Sequence, residues 1–268
     1  LAFAAKSVHD GGRAIAIIRH TTLIFNLSRA MKTQNIEYRH GNKKFIGYLA
    51  WDDTATEHRP GVVVFPEAFG LNNHARERAE RLAQAGFVAL AADLHGNGVV
   101  YDDFPSLTPS IQALFTNRPE WRAQAQAALD TLAGLAQVDA TRLAAIGFCF
   151  GGATCFELAR SGASLAAIAT FHAGLVPEQP TDAGNIRAKV LICNGAEDPV
   201  VKPAALDAVI AELKRDKVDW QFISYGNTVH SFTDPGADKR NLPGFAYSPT
   251  VEKRSWSAML DLFNEVLQ

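Results

Sequence analysis

The chain holds 268 residues, 47% of them hydrophobic and 20% charged, which are the proportions of a packed globular protein and exclude intrinsic disorder and low-complexity repeats. Its 26 basic and 28 acidic side chains leave a net charge of −2, and no basic run is present that could neutralise a row of phosphates, so no nucleic-acid partner is expected. No apolar stretch reaches the roughly 20 residues of a membrane span, and Cys149, Cys155 and Cys193 form no CxxC pair, so neither a disulfide framework nor a metal site is expected and a reducing, cytoplasmic location fits best.

Residues 1–30 differ from the rest. Two short apolar patches, Ala14 to Ile18 and Leu23 to Phe25, are split by Arg19 and His20. A secretory leader needs an uninterrupted apolar region of about 7 to 15 residues. We expect an extension outside the fold, with Met31 as the start of a single domain over 31–268. Gln34 to Arg39 and Lys44 to Trp51 read as an antiparallel hairpin, because His40-Gly41-Asn42 supplies turn chemistry between two alternating runs. Six runs of continuous apolar character follow: Gly61 to Phe65, Phe87 to Ala92, Leu143 to Phe148, Ala166 to Phe171, Val190 to Asn194 and Trp220 to Tyr225. Strands buried on both faces have this character, so a mostly parallel sheet is predicted. Helical periodicity fills the intervals at Ala75 to Ala85, Pro119 to Leu135, Gly151 to Ser161, Pro203 to Arg215 and Val251 to Leu267. The stretch from Gly96 to Arg118 reads as irregular, with Tyr101, Phe104, Leu107 and Phe115 as apolar anchors that shape a pocket.

The string Gly147-Phe148-Cys149-Phe150-Gly151 joins a predicted strand to a predicted helix. Such an elbow projects its central side chain from the sheet edge, and the turn is too tight for large residues two positions away on either side. The helix N-terminus then favours a thiolate at Cys149. A small buried residue in a glycine-rich turn would leave the same five-residue trace, so context decides. Asp198, in the loop after the Val190 to Asn194 strand, and His230, after Trp220 to Tyr225, follow in the order nucleophile, acid, base. Glu197 competes with Asp198 but reads as a solvated surface carboxylate. Cys155 and Cys193 sit within a helix and a strand and read as core.

Together these residues resemble the dienelactone hydrolase family of the α/β-hydrolase fold, from Met31 to Gln268. The resemblance rests on Gly147-Phe148-Cys149-Phe150-Gly151-Gly152, Gly195-Ala196-Glu197-Asp198-Pro199, His230-Ser231-Phe232 and Pro66-Glu67-Ala68-Phe69-Gly70-Leu71-Asn72. It implies a Cys149, Asp198, His230 triad, backbone N–H groups of Ala68 and Phe150 facing an oxyanion, and Glu67 helping to deprotonate the thiol. Burial would raise the proton affinity of Glu67; the alternative is a structural pairing with Arg76 or Arg78. Two arginines that hold an anionic lactone in the family's prototypes are absent, and their positions fall on Asp234 and near Asn97. His172, at another strand end, is a candidate either for the pocket lining or for a hydrogen-bonded structural role.

The expected function is cofactor-independent hydrolysis of a small neutral ester or lactone by a monomer. Two alternatives remain open at this stage: a non-catalytic binding protein on the same fold, and a cysteine peptidase.

Overall fold

The computed structural model describes residues 31–54 and 56–268, so the expected extension over 1–30 lies outside the described residues. β1 (Met31–His40) and β2 (Lys43–Asp52) pair antiparallel across the Gly41 turn, whose positive φ of 53° suits glycine. β2 then joins β4 (Val88–Ala91) antiparallel, and β4 lies parallel to β3 (Arg59–Phe65). From β3 the sheet runs in parallel through β5 (Val138–Phe148), β6 (Ala167–Phe171), β7 (Lys189–Gly195) and β8 (Trp220–Tyr225). The full order is β1-β2-β4-β3-β5-β6-β7-β8, an α/β-hydrolase fold with an antiparallel start.

The inner spans of β3 to β7 are apolar because both faces are covered, whereas β8, expected to be buried on both faces, stands at the sheet edge with no fully buried residue. Val63 and Phe65 of β3 pack toward α3 (Arg118–Ala133), α4 (Phe150–Arg160) and α5 (Pro203–Arg215). Val62 and Val64 pack toward α1 (Asn73–Gln84) and α6 (Pro249–Val266), where Leu82, Trp256 and Phe263 close the second core. Burying one such side chain contributes about 1.5–3 kcal/mol. None of the described helices is long and apolar enough to cross a membrane.

One expected element differs. The stretch from Gly96 to Arg118 is not irregular throughout, because Phe104–Thr116 forms α2. Asp103 caps it by accepting from the Ser106 N–H at 2.8 Å, and Pro105 occupies the first turn, where its missing N–H costs nothing. Pro109 inside the helix masks the helical pattern in the sequence.

Candidate active site

β5 ends at Phe148 and α4 begins at Phe150, so Cys149 makes the whole turn by itself. Its backbone sits at φ 53° and ψ −115°, a region that costs a non-glycine residue about 1–3 kcal/mol. Fixed partners hold it there: the Cys149 N–H donates to the Phe171 carbonyl at 3.0 Å, and its own carbonyl accepts from the Gly152 and Gly174 N–H groups, each at 3.0 Å. The flanking glycines are required by contact. A Cβ on Gly147 would lie 2.1 Å from the Gly151 carbonyl oxygen, and one on Gly151 would lie 2.1 Å from the Phe65 carbonyl oxygen.

The loops after β7 and β8 meet at the same sheet edge. Asp198 Oδ2 lies 2.8 Å from His230 Nδ1, and Oδ1 accepts from the Val200 N–H at 2.9 Å. A carboxylate only accepts, so Nδ1 carries the proton and Nε2 is left for the sulfur of Cys149. Burial disfavours a charged ring at His230, yet Cys149 and Asp198 outweigh it and raise its pKa from near 6.5 to about 10. Gly195, at the head of the acid-loop motif, lets these loops touch: a Cβ there would fall 2.2 Å from the Thr228 carbonyl oxygen.

Cys149 opens onto a cavity of about 690 Å³ bordered by Ala68, Phe150 and Gly174 and walled by Phe104, Leu107, Ile111 and Phe115 of α2. Among the described residues no charged side chain lines it. Tyr101, expected among the apolar anchors, packs instead edge-on against His95, with ring centroids 4.8 Å apart. Among the described residues the Ala68 and Phe150 N–H groups donate to no protein acceptor, as amides facing an oxyanion would. His95, another residue missed from sequence, holds the Ala68 carbonyl at 2.7 Å through Nε2 and reaches Ser110 of α2 at 2.8 Å through Nδ1. A His placed shortly after a central strand was the available signal.

Glu67 is 1% exposed, but its partner is neither Arg76 nor Arg78. Arg76 stacks on Tyr48 and bonds Asn35, and Arg78 bonds His74. Glu67 Oε1 lies 2.9 Å from His74 Nδ1. Burial does push its pKa upward, as expected, but His74 and, less strongly, His172 outweigh that effect and hold it down at about 2. The anticipated raised proton affinity is therefore reversed, because burial came with the His74 ring nitrogen 2.9 Å away. Cys155 and Cys193 are buried as expected, and burial raises both thiols, Cys193 to about 12. Glu197 is exposed.

The sequence profile of the dienelactone hydrolase family matches residues 45–267. The chain belongs to the dienelactone hydrolase family. As a member it is an enzyme of the hydrolase class. A solved structure named m3DLH is 61% identical, with a TM-score of 0.88 over 89% of this chain and 100% of that one. P91, described as a dienelactone hydrolase-like promiscuous phosphotriesterase from metagenomic libraries, is 55% identical, with a TM-score of 0.87 over 89% and 99% of the two chains. A Salmonella typhimurium protein whose name proposes carboxymethylenebutenolidase activity is 29% identical over 215 residues, 76% of each chain.

Three residues considered for this hydrolase's pocket lie elsewhere. Asn97 is exposed at a positive φ of 53°, its N–H donating to the Lys44 carbonyl. His172 is fully buried, with Nε2 2.7 Å from Thr233 Oγ1, and packs against the ring of His230. Asp234 is buried too, paired with Arg240 at 2.8 Å and accepting from the Gly236 N–H at 2.7 Å. Its charge is spent on its own turn, and none of the three borders the cavity beside Cys149. Among the described residues no group of three His, Cys, Asp or Glu side chains is arranged to hold a metal ion.

Proposed function

We propose that this dienelactone hydrolase family member cleaves a neutral ester or lactone with an apolar group, through a thioester on Cys149. The Cys149 sulfur attacks the carbonyl carbon while His230 holds the proton taken from the thiol. The tetrahedral oxyanion then faces the Ala68 and Phe150 N–H groups. As it collapses, the carbon–oxygen bond to the leaving alkoxide breaks and His230 passes its proton to that oxygen. Neutral His230 next removes a proton from water, which attacks the thioester and releases the carboxylic acid; the thiolate recovers the proton relationship with His230 with which the cycle began. Asp198 holds the imidazole in the required tautomer throughout.

One observation supports the reading: Cys149, Ala68 and Phe150 border one cavity in which no described charged side chain stands, and the hydrogen-bonded His230–Asp198 pair lies at the same sheet edge. A binding protein on this fold would need no such arrangement. P91 is described as a promiscuous phosphotriesterase, and the lining here is uncharged among the described residues, so a neutral phosphotriester is a second reading. The test is a panel of p-nitrophenyl esters, small lactones, a neutral phosphotriester and peptides, run on the wild type and on Cys149→Ala. We expect ester or lactone turnover that Cys149→Ala abolishes and Cys155→Ala keeps. Full activity in Cys149→Ala overturns the mechanism; turnover of peptides alone points to a peptidase; turnover of nothing points to a binding protein.

A further inference from the structure

Behind the elbow, Glu67, which the family resemblance gives a part in deprotonating the thiol, ends a chain of buried charged and titratable groups. His74 and Arg78 stand one turn apart on the same face of α1, and both are 5% exposed. The Arg78 Nε–H donates to His74 Nε2 at 3.0 Å. A guanidinium cannot accept, so Nε2 must keep its lone pair and the ring proton must sit on Nδ1. That nitrogen is the one 2.9 Å from Glu67 Oε1. Arg78 cannot turn away, since Nη2 donates to the Thr233 carbonyl at 2.7 Å and Nη1 bonds Glu252 of α6. The His74 ring also packs edge-on against Phe148, the residue before Cys149, with centroids 4.8 Å apart.

We propose that His74, locked in its Nδ1–H tautomer by Arg78, is a positioning residue that keeps Glu67 a carboxylate beside the nucleophile elbow. The proposal rests on the reading of Glu67 as part of the catalytic machinery. The Arg78 bond engages His74 Nε2 and turns Nδ1 to face Glu67 Oε1 at 2.9 Å. Without that donor, Glu67 would be a buried carboxyl facing an apolar wall, and such groups take up a proton at neutral pH, with documented pKa values of about 8 to 9. The remaining titratable groups nearby do not replace it. His172, after β6, has its Nε2 on Thr233, and burial together with His230 keeps it well below its ordinary pKa. Glu252 is committed to Arg78 and Arg81.

The direct test is the pH profile of kcat/KM, measured on the full chain with the best ester of the panel. His74→Phe keeps the ring against Phe148 and removes the donor. Between about pH 6 and 9 the wild type should show no limb from Glu67, whereas His74→Phe should lose about tenfold for each pH unit below the new Glu67 pKa. His74→Asn, which restores an N–H toward Glu67, should recover most of the wild-type profile. In a Glu67→Gln background His74→Phe should add no limb. An unchanged profile in His74→Phe, or the same limb in the Glu67→Gln background, overturns the proposal. Infrared difference spectra of the wild type against Glu67→Gln need no His74 variant: a protonated carboxyl band from Glu67 appearing between about pH 4 and 8 would equally overturn it. That readout does not depend on which residue attacks substrate, so the loss of the Cys149 mechanism would be seen separately in the Cys149→Ala assay.

Discussion

At the scale of single residues, the strain at Cys149 is tolerated because three backbone hydrogen bonds to Phe171, Gly152 and Gly174 over-determine its conformation. His230 gains its raised pKa of about 10 partly from Asp198, whose charge favours the protonated ring. Protonated His230 is also the acid that a poor leaving group needs. For an alkyl ester, kcat/KM should therefore hold on the alkaline side until pH rises through about 10, then fall. Asp198→Asn removes the charge that stabilises the imidazolium, so the limb should move to lower pH and the rate should drop about a hundredfold or more. A stopped-flow profile of wild type and variant checks both the direction and the size; an unmoved limb would detach Asp198 from the base.

Cys149, Asp198 and His230 were legible in the sequence because each follows a strand and the chain order is constrained by the fold. The state of Glu67 was not. Its apolar neighbours predicted a raised pKa, and only the docking of α1 brings His74 within 2.9 Å.

At the scale of elements, α2 decides what enters the cavity. One face of it supplies Phe104, Leu107, Ile111 and Phe115, and Gln112 stands beside them, with no cation among the described residues of the wall. An acidic repulsion from Asp234 is not available, since Arg240 neutralises it away from the cavity. The proposed preference for neutral substrates rests instead on an apolar wall without a positive partner among the described residues. Gln112→Arg places a cation there; one charge pair about 8 Å away at an effective dielectric of 20 is worth roughly 2 kcal/mol before screening. The kcat/KM of an anionic lactone relative to its neutral analogue should rise about tenfold at low salt and less at moderate salt. No change in that ratio would place the substrate's charged group away from α2.

At the scale of the whole molecule, buried ion pairs tie the α3, α4 and α5 layer together. Arg160 is fully buried, donating to both oxygens of Glu212 at 2.9 and 2.6 Å, to Glu157 at 3.0 Å and to the Val176 carbonyl at 3.0 Å. Arg118 and Arg122 also reach Glu157, and Arg122 binds both oxygens of Asp182. Arg160→Met strands Glu212 in the interior and should cost about 3–5 kcal/mol, read as a lower urea midpoint with an unchanged slope. Adding Glu212→Leu should recover much of that loss, because both ends of the pair are then apolar. We also propose that residues 31–268 suffice as the catalytic domain. A chain beginning at Met31 should keep its kcat/KM and melt within about 5 °C of the full chain; a larger fall would show that 1–30 packs on the domain.

The sequence by itself determined the mostly parallel sheet, the elbow and the chain order in which Cys149, Asp198 and His230 follow their strands. These follow from local sterics and from periodicity: glycines where a Cβ would strike a carbonyl, apolar runs where both strand faces are covered, and chemistry at strand ends. Only the tertiary structure decided the charge state of Glu67, the partner of Asp234 and the helical wall of the cavity. Those depend on which side chains separate helices and loops bring within about 3 Å of each other. Periodicity selects the face a residue occupies, but the partner it meets there is set by the docking of the elements, and a single donor at that distance outweighs the burial that the sequence alone could foresee.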